Sequence, residues 1–433
     1  MLIYALLAAV VCLAVIMYAA YGRDIVAPAV VVPAAFAFCI GLAAAYTLPW
    51  GLPMHLDTCA VILAMVLFFE LGAGVAGLPF PGVPAEEGQA RAFLLPLWLV
   101  GALTLLILAF AYLNYQELLQ ISRQFTSSHA LSDIIGETIH QMQLGNADRF
   151  SRWYSYRMFM AQSAAYACLM AFLYNLVYGC RSWLYNLRFL LPVAAYLLMI
   201  LFTGSRQPTV YVAIFLLVAG SLLYRRRENF TAASELRVLL LLLLVAGGFV
   251  AAFYGLGTLS GKIDETKTVT SVLAHYAGTN ISAFDYFLHH LPVPETEYIG
   301  TMTLIDVYAK LGIFVPDLPA VSGYIREFVD FGLINTNVYT ALRRYIQDYG
   351  FVGCALIMFL LGLVYQYAYN FLKYRGGHLY GLLLYSSFCF PVFLLCREER
   401  FLMDLMNTST IYVALLLFVF YRLLLLFREG EAR

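Results

Sequence analysis

Charged side chains are scarce in this sequence. Asp, Glu, Lys and Arg make up 12% of its 433 residues and hydrophobic residues 62%, whereas a soluble globular chain is about a quarter charged. That scarcity excludes a set of soluble domains and implies a polytopic membrane protein. The 26 basic and 26 acidic residues cancel, which excludes a polybasic surface for nucleic acid. There is no CxxC pair, no metal-ligand spacing, no DxD, no phosphate-cradling GxxxxGK and no GxSxG elbow. An enzyme built from this chain is therefore expected to work without a metal, nucleotide or other cofactor. The eight cysteines all lie in or at the ends of apolar runs and read as small core residues. A basic n-region is also missing from the first twenty residues, so Leu2 to Tyr21 reads as a retained first span. Neither strand alternation nor a self-similar period is visible, which argues against a barrel or a repeat array.

What the chain has in quantity is long apolar runs. A spanning helix needs roughly 17–25 mostly apolar residues. The qualifying runs are Leu2–Ala20, Ile25–Tyr46, Thr58–Gly77, Ala92–Leu113, Met158–Tyr178, Phe189–Thr203, Pro208–Tyr224, Arg237–Leu256, Phe351–Leu372, Leu379–Cys396 and Thr408–Phe427. The expected fold is an all-α bundle of about eleven spans forming one membrane domain over 1–433. The basic residues of the short loops (Arg23, Arg91, Arg181, Arg188, Arg225 to Arg227, Arg237, Lys373, Arg375, Arg428, Arg433) fit one inner face. The segments 114–157, 257–350 and 397–407 then fall outside. The large outer segment is too apolar to be disordered and is expected to be helical, and "SDIIGETIHQMQLG" reads as an amphipathic interfacial helix stopped by Gly145.

Outer arginines are the anomaly of this topology. "FTGSRQPTVY" puts Arg206 beside a helix start, with Pro208 suited to its first turn. In "NVYTALRRYIQDYG", helical spacing faces Arg344 toward Asp348 as an ion pair and leaves Arg343 for an external anion. "LLCREERFLMD" holds Arg397 and Arg400 between the last two spans, with Glu398 and Glu399 at hand to neutralise them. Arg149, Arg152 and Arg157 alternate with Trp153, Tyr154 and Tyr156 as an aromatic interface anchor. Arginine stays charged and grips phosphate oxygens in bidentate fashion. An anionic substrate near the outer bilayer plane is most simply a lipid-linked phosphate or pyrophosphate.

The series "TGSRQP", "HYAGTNISAFDYFL", "GTMTLIDVYAKLG", "NTNVYTALRRYIQDYGFVG" and "REERFL" resembles the Wzy-type oligosaccharide repeat unit polymerases, or O-antigen polymerases, over roughly Leu201 to Asn407. The resemblance implies a GT-C-like membrane glycosyltransferase in the bacterial cytoplasmic membrane, with its site on the periplasmic, outer face. Its substrate would be oligosaccharide repeats carried on undecaprenyl pyrophosphate. Flippase and chain-length regulator proteins would be its partners. Arg206, Arg343 and Arg400 would serve catalysis and bind pyrophosphate, with Arg397, Asn337 and Tyr339 assisting. The base for the attacking hydroxyl would be His275, Asp285, His289 or Glu398. Two other readings stand beside it. One is an O-antigen ligase-like enzyme with the same donor and a different acceptor. The other is a flippase or other transporter, for which Glu70, the one acid deep within a run, is the main hint.

Overall fold

The computed structural model describes residues 1–50, 54–77, 91–144, 146–147, 150–228, 232–259, 269–290, 298–312, 314–315, 328–331, 335–374 and 378–428. Arg149, Arg375, Arg433 and the breaks expected at Gly145, Pro292, Pro294 and Pro316 lie outside the described residues. In hydrocarbon a backbone has no water to bond with, so each apolar run closes its N–H and C=O groups within itself as a helix. The helices are α1 (Leu2–Ala20), α2 (Pro28–Trp50), α3 (Leu56–Ala76), α4 (Leu97–Ser122), α5 (Leu131–Leu144), α6 (Arg152–Tyr178), α7 (Trp183–Leu187), α8 (Leu190–Leu201) and α9 (Gln207–Glu228). They continue with α10 (Ala232–Leu259), α11 (Val269–Ala277), α12 (Thr279–His290), α13 (Ile305–Leu311), α14 (Ala341–Tyr374), α15 (Leu379–Phe388), α16 (Phe390–Leu394), a π-helical turn at Phe401–Leu405, and α17 (Thr408–Leu425).

Among the described residues, nine helices are long and apolar enough to cross a membrane, and two shorter apolar helices occupy Leu236–Gly248 and Leu379–Leu394. The protein is thus a multi-pass, all-helical membrane protein. The one described sheet is a short antiparallel ribbon pairing Val329–Asp330 with Asn335–Thr336. Helices overrun the apolar limits at several ends. α6 begins at Arg152 rather than Met158 because Ser151 caps it, its hydroxyl accepting from the Tyr154 N–H at 3.2 Å. There Arg157 bonds Asn114 and Glu117, both at 2.7 Å, so this residue of the expected anchor ties α6 to α4.

The chain divides into two compact units. The first comprises Met1–Val83, Thr268–Arg375 and Phe388–Thr410; the second comprises Pro84–Lys267, Gly376–Ser387 and Ile411–Arg433. In the first unit, α3 and α14 meet backbone to backbone. A Cβ on Gly72 would strike the carbonyl of Phe359, and one on Gly362 would strike that of Phe69. Small residues allow this approach, which in a membrane supplies the packing that the hydrophobic effect cannot. Met65 and Phe68 neighbour Phe351 to Phe359, Gly72 neighbours Phe359 and Leu363, and Asn370 donates to the Ala76 carbonyl at 3.2 Å. The contacts advance together along both helices, so the two run parallel and begin at the same end.

Their far ends are tied by a buried polar network. Asp24, in the α1–α2 link, accepts from Lys373 Nζ at 2.8 Å and from the Tyr369 hydroxyl, while Gln366 accepts from the Ala29 N–H and donates to Asn370. α14 breaks at Gly350, whose φ of 65° and ψ of −176° suit glycine alone. Its first segment therefore carries the RRYIQDY turns, and its second starts at Phe351, where the apolar run was expected to begin. Glu70 is 3% exposed within α3, and among the described residues neither of its carboxylate oxygens has a hydrogen-bond partner.

The glycine contact gives an opposed pair of outcomes. Gly362→Ala should destabilise the protein in detergent by ~1–3 kcal/mol, the range for overpacking. Gly74→Ala, in the same interface helix but with open space where the Cβ would go, should be neutral or stabilising. Thermal unfolding of both variants checks this; equal effects would remove the close crossing.

Candidate functional site

The motif around Arg343 is assembled at the start of α14. Thr336 closes the ribbon, and its hydroxyl accepts from the Val338 N–H at 3.2 Å and meets the Thr279 hydroxyl of α12 at 3.1 Å. Asn337 is half-buried in the bend that follows, and Tyr339 is buried. Burial pushes the Tyr339 phenol up to about 12, so it stays neutral. The Arg343 guanidinium carbon lies 3.8 Å from the centre of the Tyr339 ring and 5.1 Å from that of Phe287 in α12. An arginine only 1% exposed is thus held by aromatic faces.

Asp348 departs from the expected pairing. Its carboxylate accepts from the backbone N–H of Met302 at 3.1 Å and from the N–H and hydroxyl of Thr303, each at 2.7 Å. Arg344 instead donates to Gln347 at 3.0 Å and acts on Asp348 as a nearby charge. The i,i+4 spacing was right, but a glycine-containing turn at residues 300–304 supplied better donors than a long, solvated side chain. The segment around residues 298–312 is anchored through this bond, and again where Lys310 of α13 donates to Thr408 at 2.6 Å.

The REER link lies against this same turn of α14. The Ala341 N–H donates to the Leu395 carbonyl at 2.9 Å, and the Tyr345 hydroxyl donates to Glu399 at 3.0 Å. Asn280 of α12 donates to the Cys396 carbonyl. The link divides its two acids. Glu398 pairs outward with Arg400 at 2.5 Å and with Arg397 at 3.7 Å, and Arg400 also meets Asp404 at 3.4 Å. Glu399 turns inward, 2% exposed, and caps the π-helical turn by accepting from the N–H groups of Leu402 and Met403 at 2.7 and 3.0 Å. Burial pushes its carboxyl up to about 7 against the pull of those donors. The guanidinium-bearing side chains of Arg397 and Arg400 keep 22% and 16% exposure.

Arg206 belongs to the second unit. It precedes α9, with Pro208 in the first turn as the sequence suggests, and is 9% exposed. Gly204 before it has a φ of +61° and faces Ile135 and Ile139 of α5, so no side chain fits there. Some N-terminal donors of α9 are already used: the Gln207 N–H goes to the Ser205 hydroxyl and the Thr209 N–H to the Arg206 carbonyl.

Asp285 and His289 sit one turn apart on α12. Two residues along a helix is a rotation of about 200°, so Asp285 faces away from Phe287 and hence away from Arg343. It meets His55, the residue before α3, a partner 230 positions distant. The His289 imidazole is raised by its hydrogen bond to the Asp285 carbonyl, and further by Asp57. The structure therefore joins the first turns of α14, which carry Arg343 beside Tyr339, to the REER link through Ala341 and Tyr345, and sets Asp285 and His289 on another face of α12. His55 was missed by sequence reasoning. Its signal in the sequence is the pattern His55-x-Asp57 with Asp285-x3-His289.

Glu399 predicts a pH dependence. Its folded value of about 7 lies above the ordinary carboxylate value of about 4.3. Between those values the folded protein holds a proton that the unfolded chain has released. The stabilisation is complete below about pH 4 and is lost as pH rises through about 7, a span worth at most ~4 kcal/mol. Thermal unfolding in detergent from pH 5 to pH 8 should show this decline, and Glu399→Gln should flatten it; an unchanged slope in the variant would contradict the assignment.

The chain matches no protein-family model, no curated protein and no solved structure, so the site is read from its own geometry.

Proposed function

We propose that this protein polymerises oligosaccharide repeat units carried on undecaprenyl pyrophosphate, as an eleven-span, GT-C-like glycosyltransferase at the outer face of the bacterial cytoplasmic membrane. The supporting observation is that α14's first turns and the REER link, more than fifty residues apart in sequence, are hydrogen-bonded at Ala341–Leu395 and Tyr345–Glu399. Three arginines of the motif series, Arg343, Arg397 and Arg400, thereby gather at one end of the first unit. The parallel start of α3 and α14 agrees with a topology that puts both helix starts outside.

In this reading the diphosphate of the growing chain takes over the guanidinium groups of Arg397 and Arg400 from Glu398. The bond between the anomeric carbon and the phosphate oxygen breaks, and the departing pyrophosphate keeps the electron pair. The terminal hydroxyl of the next lipid-linked repeat supplies the new carbon–oxygen bond. Glu398, released from its arginines, takes the hydroxyl proton. Positive groups already in place contribute ~3–4 kcal/mol per contact to such charge development. Arg343, braced on Tyr339, adds a fixed positive potential behind the link, and Arg206 carries over from the motif series as a further diphosphate-binding residue. The reaction as written routes no step through a metal.

Gene deletion in the host should leave single repeat units exported but abolish the ladder of chain lengths. Long chains stranded on the carrier would point to a ligase, and repeats trapped inside to a flippase. Complementation with Arg343→Ala should reduce the polymer at least ~100-fold, the effect of removing one preorganised charge-stabilising group. Arg344→Ala, which removes the bond to Gln347, should largely restore the ladder. The opposite ranking would refute the division of labour between these two arginines.

A further inference from the structure

Two helices of the first unit bring two imidazoles and a carboxylate to one point. His55 directly precedes α3, and Asp285 and His289 leave the same face of α12 because they are four apart. One ligand atom from each lies within 4.8 Å of the others. Asp285 is 2% exposed, and a carboxylate so buried needs compensation. Its Oδ1 accepts from the His55 backbone N–H at 2.9 Å, which fixes the carboxylate plane, and its Oδ2 lies 2.8 Å from His55 Nδ1. His289 Nδ1 contacts the Asp285 backbone carbonyl at 2.8 Å, leaving Nε2 turned to the cluster and 3.0 Å from Asp57 Oδ2. The two imidazoles stack with centroids 4.0 Å apart.

We infer that His55, Asp285 and His289 form a binding site for one divalent transition-metal ion of the zinc class. Two imidazoles and a carboxylate suit zinc or cobalt, whereas calcium and magnesium call for six or more oxygens. A ligating histidine commonly gives its other ring N–H to a backbone carbonyl, and that outer bond is already present at His289. Ligand atoms about 3.4 Å apart surround a tetrahedral zinc, so closing from the observed spread takes roughly 1 Å. The His55 and His289 side chains keep 44% and 23% exposure, which leaves an open position for water beside Asp57. The ion would staple the start of α3 to α12. The cluster lies on the face of α12 opposite Phe287, so the inference stands apart from the arginine site and from the proposed function.

The test uses full-length protein purified in detergent through a histidine-free tag, stripped with chelator and titrated with Co2+. One equivalent should bind, with the visible d–d absorption of a low-coordinate cobalt centre, and zinc should bleach it. His289→Ala and Asp285→Asn should each weaken binding by more than ~100-fold, beyond the range for losing an outer-shell partner. His290→Ala, which removes a neighbouring ring stacked on Tyr286 at 4.5 Å, should bind as the parent does. Absence of stoichiometric binding by the parent protein, or unchanged affinity in His289→Ala, overturns the inference. Because Asp285 also holds the His55 backbone, the decision rests on the parent and on the more exposed His289.

Discussion

The arrangement of polar residues at the starts of α3 and α14 depends on the meeting of Gly72 with Phe359 and Gly362 with Phe69. Backbone contact fixes the register of α3 on α14, and because the helices run parallel it also fixes which residues share an end. His55 and Asp57 stand at the start of α3 and Arg343 at the start of α14. A one-turn slip of one helix would move its starting residues by about 5.4 Å, enough to undo the polar contacts at either end. At the far end the Asn370 bond to the Ala76 carbonyl locks the same register, where van der Waals contact alone leaves sliding cheap, and the Asp24–Lys373 pair ties α14 to the α1–α2 link.

The acids and arginines above this crossing show how the protein separates structural from accessible charge. Asp348 and Glu399 are spent on backbone N–H groups and hold a turn and a π-helical cap. Glu398 and Asp404 stay with Arg397 and Arg400 in a partly exposed set, where pairs can exchange at modest cost. Arg343 is set against two aromatic rings, which hold its guanidinium by cation–π contact. The result is an inner frame of charges held by backbone and aromatic groups beneath a partly exposed layer of ion pairs.

Local features were legible in the sequence. The run Leu2–Ala20 is α1 residue for residue, the break at Gly350 separates the RRYIQDY turns from the apolar run at Phe351, and Pro208 lies in the first turn of α9. Periodicity, capping and glycine chemistry act within a few residues, so a single sequence displays them. Partners distant along the chain were not legible. The spacing of Arg344 and Asp348 suggested a pair, but no local rule reveals that Thr303 supplies better donors 45 positions away. The spacing of His55 and Asp57 does not say that His55 meets Asp285, 230 positions away, and Gly72 and Gly362 read as ordinary glycines in apolar runs until the helices are placed side by side.

The Asp24 network has a consequence for how the protein is made. Its carboxylate closes the α1–α2 link early in the chain, yet its tyrosine partner lies 345 residues later. At about 5–20 residues per second of synthesis, roughly 20–70 s pass before Tyr369 and Lys373 emerge. During that interval the first hairpin carries an acid whose lysine and tyrosine partners have not yet been made. Assembly of the first unit is therefore a late event, completed only once α14 has been made and can pack beside α3.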